Sequence, residues 1–258
     1  MKKKILIPAV LLAAFAGLVT SCSKYYGDPV TQNYAISGNY SKLDVSHAFD
    51  VTVSDDVTEA VVTVPERLHG KLKIRVKEGV LEIGFKSNLT VSGRQCTVVL
   101  PRNTQLRDLE LSGASTFRGD LQGGESDIEI SGASEFYGNV TATDVEFDIS
   151  GSSTYKGAVS CDEADVELSG SSNATLSGAC TGTMDIHVSG SSKLDAIYFD
   201  TDAVTGSLSG SSDADVTVCN RIAVSVSGAS DLTYGTSSIG CRPTYGCTTS
   251  GSSSVTPR

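Results

Sequence analysis

Apolar and polar residues alternate with a period of two along most of this chain. The clearest case recurs. Leu109, Ile128, Phe147, Val166, Ile186, Gly206, Val224 and Cys247 each stand two residues ahead of Leu111, Ile130, Ile149, Leu168, Val188, Leu208, Val226 and Thr249. Between the members of each pair lie Glu110, Glu129, Asp148, Glu167, His187, Ser207, Ser225 and Thr248. Apolar–polar–apolar at this spacing is a strand with one buried face. Each copy runs directly into Ser-Gly-(Ala/Ser)-Ser, beginning at Ser112, Ser131, Ser150, Ser169, Ser189, Ser209, Ser227 and Ser250. The period is therefore near twenty residues until the last interval. A fixed period of this size marks a repeat architecture. One such repeat cannot bury a core alone, so it must stack on its neighbours.

A second strand follows the motif. Its first inward position holds Phe117, Phe136, Tyr155, Ala174, Leu194, Ala214, Leu232 and Val255. An aromatic stack through Phe117, Phe136 and Tyr155 is expected. Four residues later, Leu121, Val140, Val159, Gly178, Tyr198 and Val218 are expected to point inward. The turn between the strands needs unusual backbone angles, which the motif glycines supply: Gly113, Gly132, Gly151, Gly170, Gly190, Gly210, Gly228 and Gly251. Small serines beside them let coils approach and exchange hydroxyl hydrogen bonds. Like strands of successive coils would then lie parallel, about 4.8 Å apart, and wind right-handed. The predicted fold is all-β. It is a right-handed parallel β-helix, or solenoid, of about eight coils over residues 108–258. An antiparallel sandwich would not require repeats of equal length.

Residues 39–107 read differently. Phe49, Val51 and Val53 alternate, as do Leu72, Ile74 and Val76, and then Leu81, Ile83 and Phe85. The last two runs flank Lys77-Glu78-Gly79 and predict a hairpin. A solenoid needs its open strand edges covered, so this segment is expected to be an N-terminal β cap, continuous with the repeats. Ser92-Gly93 lies 20 residues before Ser112 and is a candidate degenerate corner.

The chain opens with Lys2, Lys3 and Lys4, then an apolar run from Ile5 to Val19, and then Thr20-Ser21-Cys22. This is the pattern of a secretion signal, and its end resembles the lipobox of bacterial lipoproteins. Residues 1–21 are the expected signal peptide, with Cys22 acylated as the first mature residue. Residues 22–38 are expected to be a flexible tether. The whole chain carries a net charge of −10, and the signal segment holds three of its 20 basic side chains and none of its 30 acidic ones. So acidic a chain excludes nucleic acid as a partner. The membrane link would come from the acyl chains.

The elements ELSGAS, ISGAS, LSGSS and VSGSS, the earlier FDVTVSDD and GVLEIGF, and the closing VSVSGASDLTYG and TSGSSSV have a further consequence. Together they resemble the putative auto-transporter adhesin, head-GIN-domain family, over roughly Lys42 to Val255. The resemblance implies a secreted or lipid-anchored envelope protein with a β-helix-like fold. It brings no catalytic residues with it.

The chemistry-bearing residues are sparse. His47, His69 and His187 are far apart and form no metal-binding spacing. Asp213, Asp215 and Asp231 fall on neighbouring coils, where stacked acids could hold calcium or act as acid and base. A solvated acidic face is the plainer account. No cofactor and no metal is expected. Cys161 and Cys180 match in their offsets from the next motif serine, and so do Cys219 and Cys241. Each pair could be a rung-to-rung disulfide or two buried thiols. The expected function is that of a lipid-anchored outer-membrane protein, on the periplasmic side or the cell surface. It would bind glycan, matrix or another envelope protein. A polysaccharide-acting enzyme and a purely structural component are the alternatives. The enzyme would need converged carboxylates with a basic residue. Arg118, Lys156, Lys193 and Arg221 are expected to share no repeat position.

Overall fold

The repeats stack as parallel coils in which like residue meets like. The computed structural model describes residues 27–86, 96–236 and 241–258. The N-terminal part holds β1 (Pro29–Tyr34), β2 (Lys42–Val45), β3 (Phe49–Ser54), β4 (Ala60–Pro65), a 3-10 helix (Glu66–Lys71), β5 (Leu72–Lys77), β6 (Val80–Phe85) and β7 (Cys96–Pro101). The first coils of the repeat supply β8 (Asp108–Leu111), β9 (Thr116–Arg118), β10 (Leu121–Gln122), β11 (Glu125–Ile130), β12 (Glu135–Tyr137), β13 (Val140–Thr141) and β14 (Asp144–Ile149). Longer strands follow: β15 (Thr154–Cys161), β16 (Glu163–Leu168), β17 (Asn173–Val188), β18 (Lys193–Leu208) and β19 (Asp213–Val226). The stack ends with β20 (Asp231–Gly235), β21 (Thr244–Tyr245), β22 (Thr248–Thr249) and β23 (Ser254–Pro257).

One sheet contains the strand that precedes each motif. In it Leu109, Ile128, Phe147, Val166 and Ile186 are successive register partners, all parallel. A second sheet contains the strand after each motif, where Phe117, Phe136, Tyr155 and Ala174 are partners. The aromatic stack forms as predicted. Ring centroids are 5.6 Å apart for Phe117–Phe136 and 5.1 Å for Phe136–Tyr155, and Phe147 joins at 4.7 Å from Tyr155. Such offset pairs add to the area they bury. The β10–β13 strands and the middle stretches of β15, β17, β18 and β19 make a third, narrower side.

The corners explain the motif. Gly151 has φ +76°, closed to most L side chains, and a Cβ there would collide with the Gly132 carbonyl of the coil below. That carbonyl accepts a hydrogen bond from Ser152 N at 2.8 Å, and Gly151 O accepts one from Ser171 N at 2.7 Å. The fourth motif residue points inward. Ser134, Ser153, Ser172 and Ser212 are fully buried. They need partners and find them within the column: Ser172 Oγ donates to Ser169 O at 2.7 Å, and Ser172 N donates to Ser192 Oγ at 3.2 Å. The eight stacked corners bound seven full turns.

Three expectations change. Neither Gly178 nor Tyr198 faces inward: Gly178 is exposed, Tyr198 is 79% exposed, and Phe199 takes the place of Tyr198 at 0%. The β17–β18 register shifts between Thr175 and Ser177, so Phe199 lies opposite Gly178. A bulge of one residue flips the side-chain alternation.

Residues 39–107 are more than a cap. β2 pairs in parallel with both β6 and β8, and β3 with both β7 and β9. The β2–β3 coil thus lies between the β6–β7 coil and the first repeat, out of chain order. Its corner, His47-Ala48, uses positive φ without glycine. The hairpin β5–β6 forms as expected, and β4 and β5 add antiparallel edges beyond the outermost coil. The candidate corner Ser92-Gly93 lies outside the described residues. Finally, the expected tether contains β1, which pairs antiparallel with β4 from Pro29↔Pro65 to Tyr34↔Ala60. Tyr34 hydroxyl contacts His69 Nδ1 at 2.9 Å and His69 Nε2 contacts Val30 O at 2.9 Å. An exposed edge strand with one neighbour carries little hydrophobic alternation, so PVTQNY shows no strand signal.

Candidate functional site

The outward side chains of the sheet preceding the motif form columns of acid. The first column runs Glu82, Asp44, Glu110, Glu129, Asp148 and Glu167 through consecutive register pairs. The second runs Asp127, Glu146, Asp165 and Asp185. A third begins with Glu125 and Asp144, and Glu163 follows. The strand pleat makes this inevitable: inward Leu, Ile and Val fill the core, and everything between them faces water on the same side. Like charges directly opposite on neighbouring strands repel.

Among the described residues the Lys and Arg ion pairs of these columns lie near their N-terminal end, while His187 Nε2 stands 3.8 Å from Asp185 Oδ2 at the other end. Lys42 bridges Glu110 at 3.4 Å and Glu129 at 3.6 Å, while Glu82 is held by Lys73 at 3.1 Å and Arg75 at 2.6 Å. Arg107 reaches Asp108 at 3.3 Å. Among the described residues no ion pair reaches Asp127, Glu146, Asp148, Asp165 or Glu167. The consequence shows in Glu146. Its carboxyl is pushed above the usual range, first by partial burial and then by Asp127, Asp165, Asp148 and Glu129. Asp44 is raised too, by burial and by Glu110 and Glu82.

An open groove of about 680 Å³ runs across these columns, from Arg107 and Asp108 past Asp127, Glu146 and Asp165 to Asp185. Asp185 Oδ1 is shielded from solvent and has no hydrogen-bond partner among the described residues. The groove therefore presents carboxylate acceptors at the rung spacing, with one guanidinium at its end. Its chemistry suits hydroxyl and ammonium donors.

In the sequence these columns stand at fixed offsets of two and four residues before each motif serine, which is the signal that marks them. Asp213, Asp215 and Asp231, the acids whose stacking the sequence suggests, do not converge. Asp213 partners Asp231, but Lys193 stands on the other side of Asp213, and Asp231 accepts from Ser254 Oγ at 2.6 Å. Asp215 lies between Asp195 and Thr233. Among the described residues no three His, Cys, Asp or Glu side chains are grouped to hold a metal. The histidines stay apart: His47 contacts Ser46, His69 contacts Tyr34, and His187 contacts Ser207.

One expectation about the basic residues fails. Arg118 and Lys156 occupy the same column, on either side of Tyr137. Arg118 lies 5.3 Å from the Tyr137 ring centroid and pairs with Asp50. This column is on the other sheet, away from the acidic groove.

The corner glycines all stack with positive φ, from Gly113 to Gly251. Cys219 and Cys241 are joined in a disulfide with Cα atoms 4.7 Å apart. Cys161 and Cys180 are register partners but are not joined: both are free buried thiols, as is Cys96, whose thiol burial pushes up to about 11. Cys22 lies outside the described residues. Among the described residues no helix is long and apolar enough to cross a membrane.

Several solved structures share this fold. An adhesin candidate from Parabacteroides distasonis ATCC 8503 superposes with a TM-score of 0.76 at 22% identity, covering 90% of this chain and 98% of that one. Another from Parabacteroides merdae ATCC 43184 gives 0.76 at 17% identity, covering 90% and 97%. A third, from P. distasonis and described as a putative lipid binding protein, gives 0.73 at 20% identity over 90% and 97%. At these identities the likeness speaks for the fold alone. None of the curated proteins matches the chain. The family profile described as putative auto-transporter adhesin, head GIN domain, matches residues 39–237. With the profile spanning most of the chain and the same solenoid recurring in its structural neighbours, this chain belongs to that family.

Proposed function

We propose that this chain is a lipid-anchored cell-envelope binding module, tethered through Cys22, whose acidic sheet face contacts the ligand. The observation that carries the reading is the groove lined by Asp127, Glu146, Asp165 and Asp185. It is open, long and built on rigid strands, as suits an extended polymer. Its carboxylates repel acidic polysaccharides and attract amino-sugar glycans and basic protein segments. Family membership supports an adhesin-like role at the envelope.

A second reading has one specific observation in its favour. Carboxylates line a groove that also holds Arg107, and the Glu146 carboxyl is raised by burial and by the neighbouring acids, the direction a general acid needs. A polysaccharide-cleaving enzyme could use such a pair. One screen separates the two. The domain is offered to neutral, acidic and amino-sugar polysaccharides, with binding and chain shortening scored together. Binding to amino-sugar polymers without cleavage is expected. Cleavage that Glu146→Gln abolishes would replace the binding reading with the enzymatic one.

A further inference from the structure

We propose that Cys161 and Cys180 are a second disulfide site, oxidised rung to rung as the chain folds outside the cytoplasm. The site of oxidation rests on the envelope reading above; the geometry does not. The two residues are direct register partners between β15 and β17. Register partners on neighbouring parallel strands have Cα atoms roughly 4.8 Å apart, inside the range a disulfide spans, about 4.4–6.8 Å. Both side chains point inward, at 5% and 3% exposure. Cys180 Sγ is oriented by Asp162 O at 3.1 Å and Thr183 O at 3.5 Å.

The chain joins adjacent coils in this way once already, at Cys219–Cys241. Pairing at the second site is also unambiguous. The column continues from Cys180 to Thr201 and then Val218, so no third cysteine stands on the next rungs. Cys96 belongs to β7, near the other end of the stack, and Cys247 packs beside Val224.

The chemistry is thiol–disulfide exchange with an organic disulfide as oxidant, carried by a protein or by a small molecule. One cysteine of the pair, as its thiolate, attacks the oxidant, forming a mixed disulfide and releasing one thiolate. The other then loses its proton and attacks the first cysteine's sulfur, releasing the second thiolate. Two electrons pass from the cysteine pair to the oxidant, which leaves as two thiols. The buried position means that the exchange precedes closure of these coils.

The test is non-reducing peptide mapping after alkylation of free thiols. One sample is the chain recovered from cell envelopes. The other is the full chain reduced, denatured and refolded in a glutathione–glutathione disulfide buffer. No Lys or Arg lies between Lys156 and Lys193, so the digest must use a protease that cleaves at Asp or Glu. The expected result is a 161–180 cross-link beside 219–241, with Cys96 and Cys247 alkylated. In Cys161→Ser, Cys180 should become alkylated. Recovery of 219–241 with Cys161 and Cys180 both alkylated in the refolded sample would overturn the site. Pairing of Cys180 with Cys96 in Cys161→Ser would overturn it as well. A link in the refolded sample alone supports the site and counts against the envelope reading instead.

Discussion

At the scale of single residues, the stack depends on side chains that are absent. Gly151 carries positive φ beneath the next coil and has no room for a Cβ. Gly151→Val should destabilise the domain by about 2 kcal/mol or more, whereas Thr154→Val, at the start of β15, should change it by less than about 0.5 kcal/mol. Chemical denaturation of both variants checks this, and equal losses would remove the corner from the account. Glu146 makes the opposite kind of claim. Its folded carboxyl is raised above its ordinary value near 4.5. Folding therefore favours its protonated form. Its cost is present at neutral pH, is relieved as pH falls through the folded value, and changes no further below about 4.5. Glu146→Gln should melt at or above the wild-type temperature at neutral pH, and the gap should close on acidification. Comparing the two proteins isolates this group from Glu82 and Asp55, which are held low by arginine and lose stability in acid. A gap that widens on acidification would reverse the sign.

At the scale of elements, the columns carry the energy. Phe136 lies between Phe117 and Tyr155, fully buried. Phe136→Ala should cost about 3–5 kcal/mol, measured by the same denaturation. Much of this level was legible in the sequence, because a solenoid repeats its constraint. Phe117, Phe136 and Tyr155 sit at one offset from three motif serines, so one reading serves every coil. Where the repeat slips, the reading slips. The inward place falls to Phe199 rather than Tyr198 because a bulge in β18 is invisible to residue counting. Gly119, Gly138 and Gly157 form a second stacked column, in which a Cβ at Gly138 or Gly157 would collide with the carbonyl of the glycine below. The column lies past the Ser-Gly-(Ala/Ser)-Ser motif, so the motif alone does not reveal it. Strand β1 was illegible for a different reason: it is an edge with one partner and almost nothing buried. The β2–β3 coil was hidden by its out-of-order stacking, which no local pattern records.

At the scale of the whole molecule, charge is divided unevenly. Residues 27–107 carry 10 basic and 9 acidic side chains, and residues 108–258 carry 6 and 21. The repeat body is therefore the acidic part and the N-terminal part is nearly neutral. If Cys22 anchors the chain, the nearly neutral part is the one that follows the anchor in sequence. Cys22→Ala should move the protein from the membrane fraction to the soluble one, as followed by detergent partitioning. Wild-type protein of mature length that is soluble and carries no acyl mass would contradict the anchor. Added salt should raise the melting temperature by screening the carboxylate columns. It should weaken binding of a cationic ligand at the same time.

The acidic groove as ligand surface is the claim on which the functional account turns. The most direct test compares wild type with Asp127→Asn/Glu146→Gln/Asp165→Asn for binding to an amino-sugar polysaccharide at low salt. The variant should remain folded, with a melting temperature at least as high, and should bind at least about tenfold more weakly, a loss of about 1.4 kcal/mol. Equal affinity in a folded variant would contradict the acidic groove as the ligand surface.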